Sequence, residues 1–199
     1  MINKKIIETI ENVENASDEE MEVILFSVLK WFKAKSLGNP FNYNRAFEWL
    51  QAKFLGFKLT TVGGGSDGID ENDVTAEFKA AAYKGLGKKG QELSYSFSYN
   101  GTSRLDTWDE QEKYCLAKIN RDPFHYWSII DYTEGKFVKT YKIPAAIVTD
   151  MLMPKWKNSF ENPQKKDPRI GGAISTIELA KLVKRSHNLP GEVFEVILH

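Results

Sequence analysis

The sequence predicts an α/β protein with a mixed central β-sheet flanked by helices. Three observations carry that prediction. Apolar residues recur at helical spacing through the first 55 residues and again after residue 106. Residues 57–62, 74–82 and 91–99 instead alternate or run apolar over strand lengths. Gly, Pro and Asn-Gly punctuation separates the runs. The predicted order is three helices, four strands, a helix, a hairpin, a helix, a loop, a helix and a last strand, which suits a mixed sheet.

Composition bounds the rest. At 199 residues the chain is one domain, or one domain with an appendage, and long enough to bury a real core. An aromatic content of 13% argues for a packed protein rather than a disordered one. Basic and acidic residues balance at 27 each, which argues against a protein that coats nucleic acid non-specifically but leaves room for a local basic cleft. The one cysteine, Cys115, has no internal disulfide partner, which fits a reducing compartment. No apolar run approaches the roughly 20 residues of a membrane helix. Met1 to Lys5 opens no sustained apolar signal region, so no membrane partner and a cytoplasmic location are expected.

The elements follow in order. Ile2, Ile6, Ile7, Ile10 and Val13 share one helical stripe. Ser17 with Glu20 three residues on makes a capping box for a second helix, whose apolar face is Met21, Ile24, Leu25, Val28, Leu29 and Phe32. Gly38-Asn39-Pro40 ends it. A third helix is expected over 42–55, with Phe47, Leu50 and Phe54 inward and Glu48 just off that stripe. Residues 57–62 form a strand, Gly63-Gly64-Gly65 breaks it, and no Gly-Lys-Ser/Thr follows, so there is no P-loop. Gly85-Leu86-Gly87-Lys88-Lys89-Gly90 matches a dinucleotide-binding string. The alternation of 91–99 after it is strand-like where such a fold needs a helix, which excludes that reading. Asn100-Gly101 reads as a turn and 106–120 as a helix with Cys115 in the core. Residues 126–132 and 137–143 form a hairpin, and Pro144 opens a helix at its favoured first position. Residues 158–172 read as a long loop, Ser175 with Glu178 caps a helix to residue 186, and 193–198 is the last strand. His125, His187 and His199 have no metal-ligand spacing.

The chemistry concentrates between Leu59 and Lys84. Glu77 and Lys79 are two residues apart on a strand and so project from one face, opposite Val74, Ala76 and Phe78. The polar turn 69–73 folds the chain back. If Asp67 opens the strand before that turn, it returns beside Glu77, with Asp70 as the reserve for that place. Two carboxylates and an ammonium suit a hard divalent cation, which takes one or two carboxylates, waters and a phosphate oxygen. A lysine there can position or deprotonate water, or neutralise phosphate charge. The alternative is a half-exposed strand with an ion pair across its face. A second Glu-x-Lys, Glu134-Gly135-Lys136, lies in a hairpin turn and shows how little that tripeptide says alone.

Asp67 with Glu77-Phe78-Lys79 resembles the motif of the PD-(D/E)XK nuclease superfamily, and within it the type II restriction endonucleases; Ser66 stands where the family's proline would be. The resemblance implies a restriction-endonuclease-like core, in which a helix, a three-stranded meander, a helix and a strand form the base. It implies Asp67, Glu77, Lys79 and Glu48 as catalytic residues. Asp67, Glu77 and the Phe78 carbonyl would hold one or two Mg2+ ions. The activity implied is hydrolysis of double-stranded DNA at a short palindromic site by a homodimer, leaving 5′-phosphate and 3′-hydroxyl ends. Another nuclease of the superfamily (repair, resolvase or mobile-element), or a non-catalytic DNA- or protein-binding module, is the alternative.

Residues 1–38 would then be an N-terminal helical subdomain suited to a dimer contact, 42–145 the catalytic core, and 150–199 a basic part for DNA. From Lys155 to Arg185 eight basic residues face three acidic ones. Lys84, Lys88 and Lys89 on the glycine-rich loop, and Lys155, Lys157 and Arg169 further on, are candidates for phosphates. Asn100, Ser103 and Arg104 are candidates for base edges, since arginine can pair with guanine and asparagine with adenine. A plain solvated surface is the competing account of each.

Overall fold

The structure, a computed structural model, describes residues 13–41, 44–60, 65–131, 134–162, 169–186 and 195–198. The helix expected from Ile2 lies outside the described residues, as do Gly63, Gly64, Lys165, Lys166, His187 and His199. The chain divides into two compact units, residues 1–46 with 61–63, and residues 47–60 with 64–199. The first is longer than the N-terminal part expected over 1–38.

In the first unit, helix α1 (Asp18–Ala34) opens as its sequence dictates. Ser17 Oγ accepts from the Glu20 backbone at 3.3 Å, and Glu20 Oε2 accepts from the Ser17 backbone at 2.8 Å. This reciprocal cap satisfies two amides that the first turn leaves orphaned. The helix stops at Ala34, before Gly38-Asn39-Pro40, with Ser36 in the left-handed region. Of its expected apolar face only Phe32 is buried among the described residues, and Val23, Leu25, Phe26 and Trp31 are exposed. Phe26, Leu29, Lys30, Lys33, Ser36, Gly38 and Asn39 line a cavity of about 550 Å³. Arg45 is buried, its Nε donating to the Leu37 carbonyl at 2.8 Å.

The second unit is built on a six-stranded sheet. Its strands are β1 (Lys58–Leu59), β2 (Gly68–Ile69), β3 (Thr75–Ala82), β5 (Phe124–Asp131), β6 (Lys136–Pro144) and β8 (Glu195–Leu198), in the spatial order β1-β2-β3-β5-β6-β8. All neighbours are antiparallel except β3 and β5, which run parallel from Ala76↔Phe124 to Ala82↔Ile130. Helix α3 (Trp108–Asn120) lies in the connection between them, as a parallel crossover requires. The mixed α/β architecture with helices around a mixed sheet is thus observed. Strand β4 (Ser96–Ser103) leaves that sheet and pairs antiparallel with β7 (Arg169–Ser175) in a second, two-stranded sheet.

Alternation along β5 assigns the two faces. Trp127 and Ile129 join the larger core with Phe97, Tyr99, Ile119, Val148, Leu152, Trp156 and Ile174, and buried His125 lies on the same face, its Nδ1 3.0 Å from Tyr99 Oη. The Trp127 ring stacks on Phe97 with centroids 4.8 Å apart. Burying side chains of this size contributes about 1.5–3 kcal/mol each. Tyr126, Phe78, Ala76 and Ala52 form a smaller core on the opposite face, under helix α2 (Arg45–Leu55). Gly68 sits against the Phe78 ring so closely that a Cβ would lie 2.6 Å from it, and only glycine fits.

Several expectations are corrected. On α2 the inward residues are Gln51 and Ala52; Leu50 and Phe54 are exposed, with Phe54 stacked on Phe137. Small Ala52 lets the helix approach the sheet. Gln51 Nε2 donates to Ser128 Oγ at 2.9 Å and to the Lys79 carbonyl at 3.1 Å. The strand expected over 57–62 is β1, of two residues. Asn100-Gly101 is no turn: β4 runs through it, and a register shift between Asn100 and Ser103 takes up the irregularity. Of the loop expected over 158–172, residues 158–161 are helix and 169–172 strand, while 163–168 lie outside the described residues. Helix α4 (Ala145–Glu161) passes through Pro154, which faces solvent where the freed carbonyl can be hydrated, while Val148, Leu152 and Trp156 continue the buried stripe. Pro144 ends β6 and caps α4, rather than being its first residue. Helix α5 (Thr176–Ser186) has the expected cap, Glu178 N to Ser175 Oγ at 3.2 Å and Ser175 N to Glu178 Oε2 at 2.8 Å.

Candidate functional site

The site grows from the point where β2 leaves β3. Pairing of Gly68 with Ala76 brings the residue before Gly68 opposite Glu77. Asp67 N donates to the Ala76 carbonyl at 2.9 Å, and Asp67 Oδ2 accepts from the Phe78 amide at 2.7 Å. Beyond this residue β3 has no strand partner on that edge among the described residues, and the Asp67 carboxylate takes the place of the next strand residue. Thr60 N fixes the Asp67 carbonyl at 3.0 Å from the other side. Asp70 does not compete for this position. Its Oδ1 accepts from Asn72 N and Val74 N, each at 2.8 Å, and so builds the turn.

Glu77 and Lys79 project from one face, and Ala76 and Phe78 are buried on the other. Lys79 Nζ donates to Glu77 Oε1 and, at 3.1 Å, to the Phe78 carbonyl. It lies 5.1 Å from the centre of the Tyr99 ring. The other Glu77 oxygen accepts from Arg121 Nη2 at 3.2 Å. Arg121 follows α3, and its Nε and Nη2 reach Asp122 Oδ2 at 3.1 and 3.0 Å. Asp122 is fully buried, and its Oδ1 has no hydrogen-bond partner among the described residues. Gly65, at φ +91°, packs closely against Arg121: a Cβ there would stand 3.0 Å from Nη1.

Behind the cluster lies a neutral relay. Trp127 Nε1 donates to Tyr99 Oη at 2.6 Å, and Tyr99 Oη is 3.0 Å from His125 Nδ1. His125 Nε2 is 3.1 Å from the Ile119 carbonyl, which can only accept. Nε2 therefore carries the proton and Nδ1 accepts from the tyrosine. Burial holds His125 below its ordinary value and Tyr99 well above, so both stay uncharged.

The charges are strongly coupled. Burial, and then the Glu77 charge, push the Asp67 carboxyl up to about 7 against the pull of Lys79; Glu48 adds to the rise. Burial also opposes ionisation of Glu77, but the Lys79 ammonium, helped by the Arg121 guanidinium, outweighs it and holds Glu77 below the usual carboxylate value. Burial alone would lower Lys79; Glu77, Asp67 and Glu48 hold it above its usual value. Lys79 is therefore an ammonium at neutral pH. Glu48, one turn before the sheet-facing Gln51 on α2, belongs to this field, since it acts on both Asp67 and Lys79.

The structure thus brings Asp67, Glu77, Lys79, the Phe78 carbonyl and the charge of Glu48 together. The nucleic-acid candidates are engaged with other partners or exposed apart from these side chains. Lys88 and Lys89 are exposed on a loop closed by the Leu86–Glu92 bridge, and Lys84 Nζ lies over the Tyr95 ring. Asn100 gives its carbonyl to Lys118 Nζ, and Ser103 pairs with Arg169. Arg104 is held on α4, donating to the Ser159 carbonyl at 3.0 Å and covering the Phe160 ring. Lys155 bridges the Ala173 carbonyl and Glu178, 2.6 Å away, and so ties α4, β7 and α5 together. Lys157 is exposed over Trp108 and 4.0 Å from Glu161.

Sequence reasoning missed Arg121, Asp122, Tyr99 and Lys118. The last is three residues before Arg121 on α3 and within electrostatic range of Glu77, Lys79 and Arg121. The signal for two of them was the Lys118/Arg121 spacing at the end of a helix, where cations are favoured. For a cation the donor set is short. Among the described residues no three His, Cys, Asp or Glu side chains are grouped to hold a metal. Two carboxylates and a carbonyl do not make a zinc site but fit magnesium, which keeps most of its waters. The chain matches no protein-family model, and no curated protein matches its sequence. No helix among the described residues is long and apolar enough to cross a membrane.

Proposed function

We propose that this protein is a Mg2+-dependent PD-(D/E)XK deoxyribonuclease, of the type II restriction kind, acting as a homodimer on a short palindromic site in double-stranded DNA. One observation carries the reading: the β2–β3 pairing puts Asp67 on the Phe78 amide, beside Glu77 and Lys79, at the edge where β2 departs. The element order supports it. Helix α2, the antiparallel meander β1-β2-β3, helix α3 and the parallel strand β5 follow the sequence of the expected core. Asp67, Glu77 and the Phe78 carbonyl would hold Mg2+, which supplies Lewis-acid stabilisation of charge on the phosphoryl oxygens.

The residues themselves have defined tasks. Lys79, held as an ammonium, orients the attacking water and offsets the charge gathering on the phosphate. Glu77 fixes Lys79 through its carboxylate. Tyr99 walls the lysine from behind, its ring 5.1 Å away. In-line attack then leaves the phosphate on the 5′ side. Twofold symmetry of the dimer would be matched by twofold symmetry of the site, each copy cutting one strand.

A second reading has its own observation. Both Glu77 oxygens are occupied by cations of the chain, as in a purely structural ion cluster. Digestion of a sequenced plasmid with Mg2+ separates the two. Discrete bands that vanish in Glu77→Ala and Lys79→Ala are the expected result. A smear points to a less specific nuclease of the same chemistry. No cleavage of any substrate would overturn the enzyme reading in favour of a structural cluster.

A further inference from the structure

The Arg121 guanidinium sits between two carboxylates and is satisfied by neither. Nε and Nη2 both fall on one oxygen of Asp122, at 3.1 and 3.0 Å, and Nη2 is shared with Glu77 at 3.2 Å. A guanidinium paired squarely with a carboxylate puts one N–H on each oxygen. Here the second oxygen of the fully buried Asp122 is left without a partner among the described residues, which carries the cost of an unmet buried charge-bearing atom. The pull of Glu77 accounts for the offset. Nη1 has no hydrogen-bond partner among the described residues; it packs against Gly65, where a Cβ would stand only 3.0 Å away, and the Arg121 side chain is 35% exposed to solvent.

From this geometry, and resting on the nuclease reading above, we infer that Arg121 is a two-position residue: a placeholder on Glu77 before the cation binds, and a ligand of the DNA phosphate after. Mg2+ and Arg121 compete for the same Glu77 oxygen. When the cation takes it, the guanidinium turns onto Asp122, and Oδ1 gains the N–H it lacks. The Nη1 edge, on a side chain that is 35% exposed, then keeps its N–H groups for a phosphate oxygen arriving from solvent. Asp122 is thereby a positioning residue, holding the arginine from behind in both places. Lys79 does not share this role, because it stays beside Glu77 and the Phe78 carbonyl on its own strand.

The test uses the full chain, a random-sequence DNA duplex, and Ca2+ or Mg2+ as the probe cation. Cation binding is followed by calorimetry without DNA, and DNA binding by fluorescence anisotropy with Ca2+ and with EDTA, over a salt series. In Arg121→Ala, cation affinity without DNA should rise about tenfold, because the competitor is gone. DNA affinity should fall about tenfold with Ca2+ yet change less than about twofold in EDTA, when Arg121 is engaged on Glu77. The salt slope with Ca2+ should drop by about one, the signature of a lost phosphate contact. Arg121→Lys keeps the charge without the fork and should recover the salt slope but not the cation-dependent difference. Equal loss of DNA affinity with and without Ca2+, or cation affinity that does not rise, overturns the two-position role while leaving the nuclease reading standing. Wild-type protein that binds neither cation nor DNA overturns both.

Discussion

Two polar groups lie against each other in this protein and behave as opposites. In the Trp127–Tyr99–His125–Ile119 relay every donor meets an acceptor and no member is charged. In the neighbouring Asp67–Glu77–Lys79–Arg121–Asp122 cluster, charges are crowded, Asp67 is pushed up to about 7, and one buried oxygen has no partner among the described residues. The relay is what a fold builds to be stable, since satisfied buried polar groups rigidify a core. The cluster retains unrelieved interactions, and on the proposed nuclease reading a cation and a phosphate would relieve them.

The comparison can be broken most sharply at Glu77. Glu77→Gln keeps the shape but removes the carboxylate, and should lower plasmid cleavage by about 10³-fold or more, equivalent to about 4 kcal/mol of activation energy. Its stability in urea should change by less than about 1 kcal/mol. Tyr99→Phe does the reverse. It strands Trp127 Nε1 and His125 Nδ1 in the core and should cost roughly 2–3 kcal/mol in urea unfolding. If Tyr99→Phe proves neutral, the relay is not the stabilising half.

Asp67 sharpens the same contrast through pH. Its folded value, about 7, lies above the ordinary 3.8, so the folded state binds the proton more tightly than the unfolded chain. Stability should therefore fall as pH rises from about 4 to about 7, by on the order of 4 kcal/mol, and stay low above that. Asp67→Asn should flatten that slope and raise stability at pH 8 while abolishing cleavage. An unchanged slope in thermal melts across this range would show that Asp67 ionises normally. The smallest effect is expected far from both groups. Lys155→Ala loses the bridge to Glu178, which holds that carboxyl down at about 2, but the pair is largely exposed; about 0.5–1 kcal/mol should be lost, fading with added salt.

The hairpin half of the site was legible because a strand repeats every two residues. Glu77 and Lys79 had to share a face, and the turn chemistry of Asp70 leaves Asp67 to face Glu77. The caps at Ser17 and Ser175 were legible for the same local reason. Arg121 was not, because it reaches Glu77 from 44 residues away through a parallel pairing that no local pattern announces. The second sheet was missed because glycines in 171–172 look like loop, although pairing with β4 makes them strand. The nucleic-acid candidates were chosen by charge, and charge alone does not tell a lysine that faces solvent from one, such as Lys155, that fastens three elements together.

The parallel pairing of β3 with β5 also has a kinetic consequence. Its first pair, Ala76↔Phe124, joins residues separated by all of β4 and α3. Contacts so far apart along the chain form slowly, after the local hairpin and helices. The two halves of the cluster, Asp67–Glu77–Lys79 on the hairpin and Arg121–Asp122 after the crossover, then meet only when that long loop closes. Formation of the Arg121–Glu77 pair is therefore a marker of the late step in folding, and a chain arrested before it would carry the motif without the site.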